Sequence, residues 1–172
     1  LKAQLQDLRH PLSCRHYSMK HLLLLLCLVT SSLAGEWTIP LAGNAYRDAP
    51  EPGSGINRSG KLVWSNPKDV HSIYVHLNQP ATFEVALRGA APAPARWQLA
   101  SNGQRFKINV NGAKPKKLLV GKITAVKAGY LRLDLSGLKK TGTNYGEVSD
   151  LILRSEKDGL QLNYVKSNKD NM

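Results

Sequence analysis

The chain has 172 residues and a formal net charge of +12, from 24 basic and 12 acidic side chains. That length suits one domain with a real core, and the charge favours nucleic acid, an anionic glycan or an anionic membrane surface as partner. Both cysteines, Cys14 and Cys27, precede residue 35; once that part is removed, disulfides, thiol chemistry and thiolate metal sites are excluded.

Residues Leu1 to Ser18 are polar and mixed and begin without a methionine. They read as an upstream extension or misannotated start ahead of Met19. Met19 and Lys20 precede an apolar run, Leu22 to Val29, followed by the small residues Thr30, Ser31, Ser32 and Ala34. A basic start, an apolar centre and a small-residue end make residues 19–34 a secretory signal peptide with a cut after Ala34. The run is too short to span a bilayer, which takes about 20 residues, so no stable membrane insertion is expected. Removing Leu1 to Ala34 leaves 20 basic and 11 acidic residues, or +9. Export weighs against nucleic acid, and the densest basic run, Lys114 to Lys117 (KPKK), has no interleaved aromatic of the kind a single-strand surface uses. It is expected to be a solvated turn. The composition points to an exported protein of the bacterial envelope, periplasmic, surface-bound or secreted.

In chain order, Trp37 to Leu41 is an edge-strand candidate, demoted by Pro40. Ala42 to Tyr46 is a turn, and Asp48 to Gly60 a Pro- and Gly-rich loop. Leu62 to Trp64 begins a strand that Ser65-Asn66-Pro67 ends. Ser72 to Leu77 and Thr82 to Arg88 both alternate, and Asn78-Gln79-Pro80 between them predicts an antiparallel neighbour pair. Gly89 to Pro94 (GAAPAP) is expected to be a loop before a strand over Arg96 to Leu99. Asn102-Gly103 predicts a hairpin, and Asn111-Gly112 a second turn after Arg105 to Val110. Leu118 to Val126 is a strand with a bulge at Gly121. The organising stretch is Ala128 to Leu153: a strand with Leu131, Leu133 and Leu135 on its buried side, a loop from Ser136 to Tyr145, and a strand from Val148. Gln161 to Val165 closes the fold before a tail over residues 167–172.

No apolar repeat of helical period follows Ala34. Short strands recur every eight to twelve residues or so, with turn signals between them, which predicts an all-β, two-sheet antiparallel β-sandwich of jelly-roll type over residues 35–166. A barrel is the alternative, because periodicity does not reveal connectivity.

Catalytic constellations are scarce. Glu147 and Asp150 are the only close acidic pair near a loop rich in polar and aromatic residues, and a turn-capping or salt-bridged pair is the competing reading. After Ala34 the histidines are His71 and His76, five apart, and no serine there has the G-x-S-x-G spacing of a nucleophile elbow. No catalytic residue, metal site or cofactor is assigned. Binding asks for less: exposed rings and amides on a stable surface. Phe83 and Phe106 are in phase with the apolar faces and belong to the core. Tyr74 is out of phase with Ile73 and Val75, whereas Tyr46, Trp64 and Tyr145 adjoin turns. A ring flat on a sugar face supplies apolar contact, and Asn44, Asn66, Asn144 or Arg47 bonds its hydroxyls. The ligand-binding candidates are therefore Asn44, Tyr46, Arg47, Trp64, Asn66, Asn144 and Tyr145, with Trp64 the ring whose loss would weaken retention while the fold persists.

The stretches Ile39 to Tyr46, Leu62 to Pro67, Phe106 to Gly112, Val120-Gly121, Ala128 to Tyr130, Leu138 to Gly142 and Val148 to Asp150 together resemble the domain of unknown function numbered 5077. The resemblance covers nearly all of the chain after Ala34. It implies an exported bacterial β-sandwich similar to galactose-binding-like and carbohydrate-binding modules, commonly followed by a second domain, numbered 3472. Here the sequence ends at Asn163-Tyr164-Val165 and SNKDNM, where a linker to that domain would begin; a stand-alone version and a truncated gene are the two accounts. The family brings no catalytic residues. The leading expectation is a non-catalytic extracytoplasmic module that binds a carbohydrate or cell-envelope polysaccharide. The alternative is a structural or accessory domain packing on a partner protein or enzyme, favoured if Trp64, Tyr46 and Tyr145 share one core plug; a glycoside hydrolase is a distant third.

Overall fold

The computed structural model describes residues 34–47 and 54–165. The upstream extension, the signal peptide through residue 33, residues 48–53 of the Pro- and Gly-rich loop and the 167–172 tail lie outside the described residues. No helix occurs among those that are described, and ten strands do. In chain order these are β1 (Gly35–Pro40), β2 (Ala45–Tyr46), β3 (Gly55–Ile56), β4 (Leu62–Val63), β5 (Val70–Leu77), β6 (Ala81–Ser101), β7 (Gln104–Ala125), β8 (Gly129–Lys140), β9 (Glu147–Ser155) and β10 (Leu162–Asn163). Every pairing is antiparallel.

The two long strands generate the sandwich. β6 and β7 form one hairpin closed at Asn102-Gly103, where both residues take positive φ (48° and 78°), as the dipeptide predicts. The first part of β6, Glu84–Ala90, pairs with β9, whereas Ala95–Ala100 pairs with β8. The hairpin therefore leaves one sheet, which continues through β9 to β1 and β4, and enters a second, which continues through β8 to β5 and its short partners β2 and β10. Phe83, Val85, Leu87, Leu151 and Leu153 from the first sheet meet Ile73, Val75, Leu99, Leu131 and Leu133 from the second in one core cluster. Alternation sets these faces: each of those side chains is less than 5% exposed, and burying one contributes on the order of 1.5–3 kcal/mol.

Several expected turns are corrected. Gly89 to Pro94 and Asn111-Gly112 do not end strands; the chain runs on through both and bulges at the crease between the sheets. Pro92 and Pro94 fall in the stretch of β6 that the β6–β7 ladder skips, and Pro115 in the stretch skipped on β7. A residue without an N–H is tolerated where the ladder is broken. Lys114 to Lys117 accordingly lies in this bulge and beside it rather than in a free turn. β8 likewise continues through Gly137 to Lys140, with an irregularity opposite Arg96 and Trp97. The bulge expected at Gly121 is present, opposite Val85 and Ala86. The predicted β5–β6 neighbour pair is also corrected. β5 pairs with β8, β2 and β10, and Asn78-Gln79-Pro80 carries the chain between sheets instead. The amides of Asn78 and Gln79 donate to Gly159 O (2.9 Å) and Asp158 O (2.8 Å), fixing that crossing against the β9–β10 connection.

An aromatic plug fills the core beneath the crease. Trp64 stacks on Tyr145 (centroids 5.7 Å, interplanar 19°) and tilts against Trp97 (5.6 Å), with the His71 ring edge-on to it at 5.7 Å. Trp97 Nε1 donates to Tyr145 O (2.7 Å) and Tyr145 N donates to Trp64 O (2.9 Å). The Tyr145 ring lies directly on Gly137, where a Cβ would stand 2.4 Å from the ring Cζ. Burial lowers the His71 pKa from 6.5 to about 4; Asp69 pulls it up and Arg47 pushes it down again.

Two outcomes follow from this packing. Gly137→Ala should cost about 2 kcal/mol or more, because overpacking forces the tyrosine off its seat; a melting temperature equal to wild type would show that the ring does not rest there. For His71 the folded pKa lies below the unfolded one, so its contribution to stability is complete above about pH 6.5 and is lost as the pH falls through about 4. Denaturant titrations at pH 7.5 and 4 should differ by up to roughly 3 kcal/mol more in wild type than in His71→Gln, and equal differences would refute the buried neutral imidazole.

Candidate functional site

The outward face of the second sheet carries the aromatic residues that the core does not take. On β5, Ile73, Val75 and Leu77 point inward, which leaves Ser72, Tyr74 and His76 outward. β8 answers with Tyr130 opposite His76, Arg132 opposite Tyr74 and Asp134 opposite Ser72. From the other side β2 sets Tyr46 opposite Ser72, and β10 sets Asn163 opposite His76. The result is an open groove of about 410 Å³ lined by Tyr46, Tyr74, His76, Tyr130, Asn163 and Tyr164 among others.

Within it the rings form two pairs. Tyr46 and Tyr74 have centroids 6.1 Å apart at 56°, and His76 meets Tyr130 edge-on at 5.1 Å and 79°. Tyr46 is 51% exposed and Tyr130 77%, far more than either needs for packing. The Tyr46 hydroxyl donates to Gly43 O (2.8 Å), which steadies the ring without covering its face. The Arg132 guanidinium lies 6.0 Å from the Tyr74 centroid, and its Nε donates to Asp134 Oδ1 (2.7 Å), which also accepts from the Ser72 hydroxyl (2.7 Å). An open row of rings flanked by hydroxyl, imidazole and amide groups can present apolar contact and hydrogen bonds to the same flat polar molecule.

The seven expected ligand residues scatter. Trp64 is fully buried and Tyr145 2% exposed, so both belong to the plug and offer no face to a ligand. Only Tyr46 of the three rings stays outside. Asn44 lines the tyrosine groove with Tyr46, but it is buried and its amide is engaged within the fold: its Nδ2 donates to Pro40 O (2.8 Å) and Val165 O (2.7 Å), and its Oδ1 accepts from Val165 N (2.9 Å), tying the end of the fold to the β1–β2 turn. Arg47 pairs with Asp69 (3.2 Å) at 10% side-chain exposure, and Asp69 also accepts from the Ser54 hydroxyl. Asn66 Oδ1 accepts from Lys68 N (2.9 Å), and Asn144 Oδ1 from Gly146 N (3.0 Å), as turn residues do. For Trp64, Tyr145 and Asn44 the cause is shared: a residue beside a turn in sequence can still point into the core when the turn caps a sandwich. Asn144 stays exposed but does not line the tyrosine groove. Tyr74, His76, Tyr130 and Asn163 were missed as a group. Tyr74 announced itself by being out of phase, but the pairing that collects the others is not local.

The acidic pair singled out in the sequence is held by its neighbours, and the two glutamates that do line a common groove, Glu84 and Glu156, share it with Lys122 and Arg154. Glu147 is bound by Lys61 (2.5 Å), and Asp150 by the Ser149 hydroxyl (2.7 Å) with Arg88 at 3.7 Å. Among the described residues no three His, Cys, Asp or Glu side chains gather to hold a metal ion.

With this geometry in hand, solved structures show the same architecture. The CBM36-1 domain of a multidomain xylanase from the hindgut metagenome of Trinervitermes trinervoides matches with a TM-score of 0.56 and 16% identity, over 69% of this chain and 96% of its own. The CBM35 module from Cellvibrio japonicus Abf62 gives 0.55 and 13%, over 76% and 97%. The Podospora anserina GH26-CBM35 β-(1,4)-mannanase gives 0.54 and 14% over 70% of this chain, which spans only 28% of the length of that enzyme. At these identities the likeness is one of fold, the β-sandwich of carbohydrate-binding modules. No curated protein matches the sequence. The model of one family does, over residues 39–158; its span takes in the crease, the plug and most of the tyrosine face, and the chain belongs to that family, the domain of unknown function DUF5077.

Proposed function

We propose that this protein is a non-catalytic, extracytoplasmic module that binds a glycan on the outward tyrosine face of its second sheet. The observation that carries this reading is the pair of exposed rings, Tyr46 and Tyr130, standing with Tyr74 and His76 in one groove. Tyrosine left open to water on a sheet face is not required for stability, and ring faces with adjacent hydrogen-bonding groups suit the alternating apolar and hydroxyl surface of a sugar. The kinship in fold with carbohydrate-binding modules supports the same class of ligand. Placement outside the cytoplasm is supported by the leader-like Leu22 to Val29 run and by the absence of cysteine after it.

The xylanase and mannanase settings of the fold neighbours recommend xylo- and manno-oligosaccharides as first probes. In calorimetric titrations of the chain from Gly35 onward, Tyr46→Ala and Tyr130→Ala should each weaken binding by about tenfold, or ~1.4 kcal/mol. Their thermal unfolding should stay at the wild-type temperature. Trp64→Ala should instead lose about 3–5 kcal/mol of stability, as a core tryptophan does. Affinity untouched by both tyrosine substitutions would sink this face as the binding site.

A further inference from the structure

The crease where β6 and β7 bulge makes a second groove, of about 460 Å³, closed by the end of β8. Three cationic side chains line it, one from each strand: Arg96 from β6, Lys116 from β7 and Lys139 from β8. No carboxylate lines it. Several other basic side chains of the described surface meet acids, as Lys117 meets Glu36 (3.1 Å) and Arg88 meets Asp150 (3.7 Å). Among the described residues Arg96, Lys116 and Lys139 form no ion pair. Their polar contacts are to neutral groups: Arg96 Nε donates to Asn109 Oδ1 (2.9 Å), and Lys116 Nζ to Asn111 O (3.2 Å). The Thr141 hydroxyl donates to Pro94 O (3.1 Å) and holds the wall of the groove.

Charge of one sign, drawn from three strands into one concavity, raises the local concentration of anions. The contact with Asn109 occupies Nε and orients the guanidinium, which leaves its terminal N–H groups for a carboxylate or sulfate oxygen. The groove and the tyrosine row lie on the same sheet. Tyr130 and Lys139 mark nearly the two ends of β8, about 30 Å apart at the usual rise of a strand. No aromatic residue lines the groove, so it lacks the stacking platform that single-stranded nucleic acid uses.

We infer that the crease groove is an anion subsite for the carboxylate or sulfate groups of an acidic polysaccharide, with Arg96, Lys116 and Lys139 as its ligands. The inference rests on the glycan-binding reading and adds the class of glycan.

The test is retention of the chain from Gly35 onward, at physiological ionic strength, on polygalacturonate, its fully methyl-esterified form, dextran sulfate, dextran and single-stranded DNA. Wild type should bind one of the acidic polymers at least about tenfold more tightly than its neutral counterpart, and the preferred one identifies carboxylate or sulfate as the ligand. Arg96→Ala combined with Lys139→Ala should abolish that preference while leaving neutral xylo-oligosaccharide binding and melting temperature unchanged. A control, Lys127→Ala with Lys157→Ala, removes equal charge elsewhere and should keep the preference. Equal loss in the control, equal retention of DNA, or no preference for an acidic polymer would each overturn the subsite. Neutral binding that survives alongside any of these results leaves the tyrosine face standing. Groove-dependent acidic binding with no neutral binding would instead remove the tyrosine face and keep the subsite.

Discussion

The contact between the Tyr145 ring and the backbone of Gly137 is the constraint on which the rest of the structure hangs. A side chain at residue 137 would occupy the ring's own volume. With glycine there, β8 passes under the tyrosine, and Tyr145 in turn receives Trp64 face to face and accepts the Trp97 indole N–H. Gly89 makes the complementary concession on β6, where a Cβ would stand 2.8 Å from the Trp97 ring and 2.5 Å from Glu147 O. One cluster of rings thus joins β6, β8, the residue after β4 and the residues before β9. It lies where the long hairpin changes sheets, so it fixes the bend as well as filling the core.

The plug also governs what remains for the surface. It consumes Trp64, Trp97 and Tyr145 and holds His71 as a neutral, buried imidazole. Rings whose phase along a strand is opposite to the core have no place in it, and the antiparallel ladders gather them: Tyr46 from β2, Tyr74 and His76 from β5, and Tyr130 from β8. Surface charge is sorted by the same ladders. Carboxylates fall mainly beside basic residues that they neutralise, and the crease, where proline and glycine interrupt the pairing, is lined by cations alone among charged groups. A module that binds a polymer along a sheet gains from this separation, because ring contact is insensitive to salt whereas charge contact is screened by it.

The class of fold and most of the inward-facing residues are legible in the order of the amino acids. Alternation along Ser72 to Leu77, Thr82 to Arg88 and Tyr130 to Leu135 is a local property, since successive side chains on a strand leave on opposite sides. Asn102-Gly103 closed its hairpin for an equally local reason: both residues tolerate positive φ. Which strands pair, and which turn residues face inward, is set by long-range packing instead. GAAPAP and Asn111-Gly112 look like turns, yet each lies opposite the other in a continuous hairpin, where a broken ladder on both strands satisfies the prolines better than a reversal of either. Trp64 and Tyr145 look like rim residues because polar neighbours surround them in sequence, and only the stack on Gly137 draws them inside. The tyrosine face and the cationic crease escaped the sequence for the same reason, because each gathers residues from at least three strands and its existence depends on ladder order, which a period of two cannot encode.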